Sequence, residues 1–375
     1  MKDSKLTYYL DSLQSYGIPG CSCMVYHHHE PIYHHTAGYT DTEKTKPTEL
    51  DTTYWLYSAT KLVTCTAVMQ LVERGLISLD DPVDKYLPEY GNLMVKHETG
   101  TKPAQNRMTI RHLMSMQSGL NYNINTPSLT KAVKDSNGQI STREFIRALS
   151  QEPLDFEPGT RFQYSLSHDV LGALVEAVSG MSFDQYLDKS IFMPLNMSNT
   201  GFELTADRRA LMSQQYRYDV LSRTAKPIHM ENGYVLSPNY KSGGAGLIST
   251  VQDFILFLDA LSNGGAAYNG NRIIAAESID LMRTDQLSGE SVKDFAAFGR
   301  AGYSYGLGVR VHIDSKASCA KSPLGEFGWD GAAGAYALID PENHLAIFYV
   351  QHVLGCEYAY QTIHPTIRDL TYEML

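Results

Sequence analysis

The sequence is poor in cysteine, in tryptophan, in long apolar runs and in positive charge. The five cysteines (Cys21, Cys23, Cys65, Cys319 and Cys356) are an odd number and show no Cys-x-x-Cys spacing. That speaks against a disulfide scaffold and a zinc-finger type of site, and leaves reduced structural thiols. No stretch is long and apolar enough to read as a bilayer span. Lys and Arg number 31 against 41 Asp and Glu, a net charge of −10, which argues against nucleic acid or an anionic membrane as the main partner. Met1 to Leu6 carry charges with no apolar signal-peptide core behind them, so the chain reads as cytoplasmic.

What is there is a chain of 375 residues with globular composition, long enough for a large core and for two or three domains. Residues 3–16 have apolar residues at helical spacing. Cys21 to His28 and Ile32 to Gly38 read as two strands joined by a turn at Glu30-Pro31. Helices are predicted over Leu62 to Val72, Thr109 to Met116 (capped by Thr109), Ser141 to Ser150 (capped by Thr142), His168 to Ser179, Phe183 to Phe192, Thr250 to Asn263 and Tyr360 to Met374. Residues 92–108 and 121–140 read as loops, the second long enough to be a lid. Residues 200–240 give weak strand signals. Tyr303 to His312, Ala333 to Ile339 and Leu345 to His352 read as strands. Strands at both ends and helices between them predict an α+β fold. One antiparallel sheet would come from 1–58 and 242–375, with a mainly helical insertion at 59–241 and the active site at their interface.

The histidines His27, His28, His29, His34 and His35 lie on the predicted hairpin. Alternate strand residues share a face, which would allow a metal. No Asp or Glu is suitably interleaved, so solvated histidines flanking a turn are the simpler account and no metal is assigned. The turn Ser242-Gly243-Gly244-Ala245-Gly246-Leu247 matches neither a dinucleotide fingerprint nor a P-loop.

The stretch that points to chemistry is Tyr57-Ser58-Ala59-Thr60-Lys61, where an extended aromatic approach runs into an apolar helix. Residues three apart on a helix share a face, so the Lys61 amine can reach the Ser58 hydroxyl. Serine needs a base to become a nucleophile, and a desolvated lysine can serve. The alternative is an ordinary helix cap. Two further Ser-x-x-Lys copies, Ser128 to Lys131 and Ser318 to Lys321, lie in polar, loop-like surroundings. Tyr164 stands just before a helix, displayed at an element boundary. A neighbouring ammonium can lower its pKa and let it shuttle a proton. The alternatives are a core tyrosine and a rival at Tyr90-Gly91-Asn92. The small residues of Phe327 to Gly334 allow a backbone N–H close to a substrate, and the N–H groups of Ala332 and Ser58 would make an oxyanion hole.

Five stretches carry a resemblance together: Ser58 to Lys61, Glu73 to Pro82, Leu113 to Leu120, Pro158 to Leu166 and Gly328 to Gly334. In this order they resemble the serine β-lactamase and penicillin-binding-protein superfamily. They are most similar to class C β-lactamase-related hydrolases and family VIII carboxylesterases. The resemblance implies Ser58 as the acylated nucleophile, Lys61 as its activator, and Tyr164 as first base and then acid. It also implies substrate contacts from Gln117, Leu166, Trp329, Asp330 and Gly331, with no cofactor and a small-molecule acyl substrate as partner. Penicillin-recognising enzymes pair Ser-x-x-Lys with Ser-Asp-Asn and Lys-Thr-Gly. Here Leu166 replaces the Asn of Tyr-x-Asn, and Trp329-Asp330-Gly331 replaces Lys-Thr-Gly. These departures point to an esterase or acyltransferase rather than a β-lactamase, and Asp330 is expected to disfavour anionic substrates unless its side chain points away. A D-amino-acid peptidase or amidase, a weak β-lactamase, and a sensor or scaffold that does not turn over are the alternatives.

Overall fold

Seven strands build the main sheet of this computed structural model, which describes residues 3–375. They are β1 (Gly20–His27), β2 (Glu30–Gly38), β3 (Tyr303–Tyr305), β4 (Arg310–His312), β5 (Phe327–Asp330), β6 (Tyr336–Asp340) and β7 (Leu345–Gln351). Their order is β2-β1-β7-β6-β5-β4-β3, and every neighbouring pair is antiparallel. The N- and C-terminal segments therefore meet within the sheet, one strand in from its β2 edge, where β1 lies against β7 with Cys23 opposite Tyr349.

Both faces of the sheet are covered, which is why its central strands read as unbroken apolar runs. One face packs under α1 (Asp3–Ser12) and α5 (His364–Tyr372), burying Leu6, Leu10, Leu338, Ile347 and Ile367 together. The other face packs against the buried helices α2 (Thr60–Glu73) and α4 (Val251–Ser262), and α3 (Ser167–Ser179) packs on α2 within the same core. The Phe254 and Phe348 rings meet at 4.7 Å between α4 and β7. In α2 every residue from Thr60 to Leu71 is buried, so this helix is apolar all round rather than amphipathic. The Lys61 side chain within it is fully buried.

Several local expectations are corrected. The β1–β2 turn is His28-His29, both with positive φ (51° and 67°). This is the mirror-image turn that suits strand twist, and Glu30 and Pro31 belong to the edge strand β2 instead. Residues Met94–His97 and Gly100–Pro103 form a small hairpin. Pro127–Asp135 forms a helix inside the segment read as a loop. Ser141, not Thr142, caps the helix Thr142–Leu149, in a reciprocal pair with Glu144. The predicted strand Tyr303 to His312 is broken at Gly306-Leu307-Gly308 into β3 and β4, which pair with each other. In the 200–240 segment, the hairpin Gln215–Asp219/Thr224–Ile228 is joined by Val353–Leu354.

Candidate active site

The approach to α2 is fixed from both sides. Tyr54 and Trp55 pair with Ser249 and Ile248, and the Leu56 N–H donates to the Leu247 carbonyl at 2.9 Å. Tyr57 then adopts φ 48°, an uncommon conformation for a bulky residue. Its hydroxyl is held by the Gln215 side chain at 2.5 Å. Such strain persists only where the surroundings over-determine it, and here it turns the chain sharply so that Ser58 begins the helical run. From the sheet, β5 reaches the same turn. A Cβ on Gly331 would lie 2.2 Å from the Leu56 carbonyl oxygen, so only glycine lets the two segments approach this closely.

The Lys61 amine donates to three oxygens: Ser58 Oγ at 3.0 Å, the Tyr122 hydroxyl at 2.9 Å and the Gly244 carbonyl at 2.7 Å. Burial lowers its pKa from 10.5 to about 7, and the charge of Asp169 partly opposes that fall. The Tyr164 ring lies beside it, with the amine 4.7 Å from the ring centroid. The Tyr164 hydroxyl accepts the indole N–H of Trp329 at 2.8 Å. Burial raises the Tyr164 pKa, and hydrogen bonding to Ser58 and Trp329 offsets only part of that rise. The lowering expected from a neighbouring ammonium is therefore outweighed by burial. Tyr122 stacks on Tyr164 with ring centroids 5.4 Å apart. Its pKa is also raised well above the ordinary value, chiefly by burial.

The N–H of Ala332 meets no backbone acceptor among the described residues. The loop carrying it is pinned by Tyr360, whose hydroxyl lies 2.9 Å from each of the Gly331 and Ala332 carbonyl oxygens.

The structure thus brings Ser58, Lys61, Tyr164, Trp329 and Gly331 together. Three other predicted contacts lie elsewhere. Gln117 is buried, with its amide nitrogen on the Ser291 hydroxyl at 3.2 Å. Leu166 is buried in the apolar core. Asp330 points to the opposite face of β5 from Trp329, because strand side chains alternate. There it ion-pairs with Arg300 and, at 3.0 Å, with Arg310. Burial alone would raise its pKa, but the two guanidinium groups hold the carboxyl far below the usual range. Its charge is compensated and its side chain points away, the condition under which the sequence reading expects no repulsion of anionic substrates.

Tyr90 is spent on the Ile146 carbonyl at 3.1 Å, and Lys131 pairs with Asp135 on an exposed helix. In the hairpin, His29 bonds to Asp259 and His35 to Asp11, each at 2.7 Å. No cluster of three or more His, Cys, Asp or Glu side chains placed to hold a metal ion occurs among the described residues. No helix there is long and apolar enough to cross a membrane. Sequence reasoning missed Tyr122, the Gly244 carbonyl, Tyr360 and Asp169. The signals available were the position of Tyr122 just after the Leu113–Leu120 stretch and the glycine-rich turn at Ser242.

Comparison with known proteins agrees with this frame. The sequence model of the family described as Beta-lactamase matches residues 7–358. Protein Rv1367c of Mycobacterium tuberculosis is 30% identical over 348 residues, covering 89% of this chain and 86% of its own. Esterase EstB of Burkholderia gladioli is 29% identical over 364 residues, covering 90% and 86%. Among solved structures, EstCE1, described as a hydrolase with promiscuous acyltransferase activity, superposes with a TM-score of 0.81 at 24% identity, covering 99% of this chain and 98% of that one. Simvastatin synthase of Aspergillus terreus superposes with a TM-score of 0.83 at 22% identity, covering 100% and 98%.

Proposed function

The chain belongs to the β-lactamase family, and from that premise we propose that it is a carboxylesterase forming a covalent acyl-enzyme on Ser58 with small acyl esters. The observation that carries this is the buried Lys61 amine, 3.0 Å from Ser58 Oγ and titrating at about 7. A base with a pKa near the working pH serves best.

The order of proton affinities supports Lys61, rather than Tyr164, as the first base. Lys61 takes the Ser58 proton while Oγ bonds to the acyl carbon. The oxyanion rests on the N–H groups of Ser58 and Ala332. Tyr164 gives its proton to the leaving oxygen as the ester bond breaks. The resulting phenolate is held by the Trp329 N–H and by the ammonium beside its ring. In deacylation the phenolate takes a proton from water, the hydroxide adds to the acyl carbon, and Ser58 departs with the proton of Lys61. All three groups return to their starting state.

The absence of a cation at positions 329–331 and the burial of Leu166 favour esters over β-lactams. Relatives named for esterase and acyltransferase activity support the same choice and an alcohol as second acceptor. The test is turnover of short-chain p-nitrophenyl esters beside a chromogenic cephalosporin, by the native protein and by Ser58→Ala. Ester turnover lost in the variant is the expected result. One equivalent of a fluorophosphonate bound at Ser58, without turnover of any ester, would replace the esterase by a selective peptidase or a sensor. Retention of activity by Ser58→Ala would remove the nucleophile assignment.

A further inference from the structure

Directly behind the nucleophile lies a carboxylate that the mechanism above does not use. Asp169, on α3, is 1% exposed. Its Oδ1 accepts two hydroxyl protons, from Tyr240 at 2.8 Å and from Ser242 at 2.6 Å. Ser242 Oγ itself takes the Ala245 N–H at 3.0 Å, leaving its own hydrogen for Asp169. Oδ2 has no hydrogen-bond partner in the strict geometric sense. It presses on Gly244, where a Cβ would lie 2.7 Å away, and the Gly244 N–H leans toward the carboxylate. The surroundings thus offer donors, the environment of an ionised carboxylate, although burial raises its proton affinity. The carbonyl of that same Gly244 receives the Lys61 amine at 2.7 Å. A single residue, Gly244, therefore separates the carboxylate from the amine.

We propose that Asp169 is a positioning residue for Lys61, holding the 242–246 turn so that the Gly244 carbonyl orients the amine and placing a fixed negative charge behind it. The other groups around the amine are Cys65 on its own helix, His168 on α3, and the phenols of Tyr122 and Tyr164. Burial keeps the Cys65 thiol protonated, the His168 imidazole neutral and both phenols protonated at neutral pH. Around the carboxylate stand Tyr90, Tyr122 and Tyr240, also raised by burial. Among these groups Asp169 is the one anion, and it opposes loss of the ammonium proton. Without it the amine would titrate lower and be a weaker base.

The inference rests on Ser58 and Lys61 acting as proposed, not on the identity of the substrate. Its test is the pH dependence of Ser58 labelling by a fluorophosphonate probe in the native protein, Asp169→Asn and Asp169→Glu. Asn offers an oxygen to both hydroxyl donors but carries no charge. The expected result is an acidic limb near pH 7 for the native protein, one about one pH unit lower for Asn, and one close to native for Glu. The midpoint does not depend on what fraction of a variant folds, because only folded molecules label. Asp169→Ser, neutral and smaller, is expected to move the limb in the same direction as Asn. An unmoved limb in Asn and Ser, or the same displacement in Glu, would overturn the proposal. So would a native protein that does not label at Ser58. Labelling without ester turnover, in a parallel p-nitrophenyl assay, would count against the esterase reading alone.

Discussion

Replacing Lys61 with methionine should abolish activity and make the protein more stable at neutral pH. The amine titrates at about 7 instead of 10.5, because burial disfavours its charge. The sign follows from linkage. The unfolded chain binds this proton up to about pH 10.5 and the folded chain only up to about pH 7, so stability rises with pH across that window. Each pH unit is worth about 1.4 kcal/mol. At pH 7, with the folded amine half protonated, the native protein forfeits about 4 kcal/mol relative to an amine that never charges. At pH 9.5 the penalty falls to about 1 kcal/mol. Methionine removes the penalty but leaves the Gly244 carbonyl without its donor, at a cost of about 1–3 kcal/mol. Lys61→Met should therefore exceed the native protein by about 1–3 kcal/mol at pH 7. The difference should shrink by roughly 3 kcal/mol on going to pH 9.5, and can reverse sign. Urea melts of both proteins at the two pH values measure this directly. A difference independent of pH would refute a buried, shifted amine at this position, and with it the base assigned to Lys61.

Three further substitutions probe the surrounding scaffold. Trp329→Phe keeps the stacking surface but removes the N–H that holds the Tyr164 oxygen at 2.8 Å. It should lower kcat on p-nitrophenyl esters by roughly tenfold or more, with KM nearly unchanged. Tyr360→Phe frees the Gly331 and Ala332 carbonyls. Its steady-state kcat should fall by a factor of about ten, whereas thermal melting should move little. Asp330→Asn strands the Arg310 guanidinium, 2% exposed, with Glu326 at 3.3 Å as its remaining carboxylate. The loss should be about 3–5 kcal/mol in urea melts, with no selective gain in turnover of carboxylate-bearing esters.

The parts of the site that were legible in the sequence are those set by local geometry. Ser58 and Lys61 are one helical turn apart, and Tyr164 sits at the start of α3, so spacing and element boundaries expose them. Tyr122 was hidden because an aromatic residue among Asn, Ser and Thr shows no periodicity to read. The orientation of Asp330 stayed open for a different reason. Its charge is written in the sequence, but its partners Arg300 and Arg310 are brought to it only by the β3–β4–β5 arrangement. The hairpin turn was misplaced because Pro31 looks like punctuation, yet proline is tolerated on an edge strand, and β2 is the edge. The antiparallel sheet was legible because apolar runs buried on both faces differ from the polar, glycine-bounded segments around them.

The placement of the two proton carriers bears on which bonds the site can break. Lys61 contacts the Tyr164 ring, not its oxygen, while its own donors go to Ser58, Tyr122 and Gly244. In the proposed mechanism, proton removal from the nucleophile and proton delivery to the leaving group are thus separated between an amine whose pKa burial lowers to about 7 and a phenol whose pKa burial raises. A phenol of raised pKa is a weak acid. An ester alkoxide, once formed, is basic enough to take its proton late in bond breaking. An amide nitrogen must be protonated before it can leave, and a weak acid serves that step poorly. Breaking amides would require the Lys61 ammonium itself to reach the leaving nitrogen, and its three donors already face fixed oxygens. If Lys61 and Tyr164 act as proposed, the same burial that lowers the Lys61 pKa raises that of Tyr164, and that asymmetry is the ground on which the proposal prefers esters to amides.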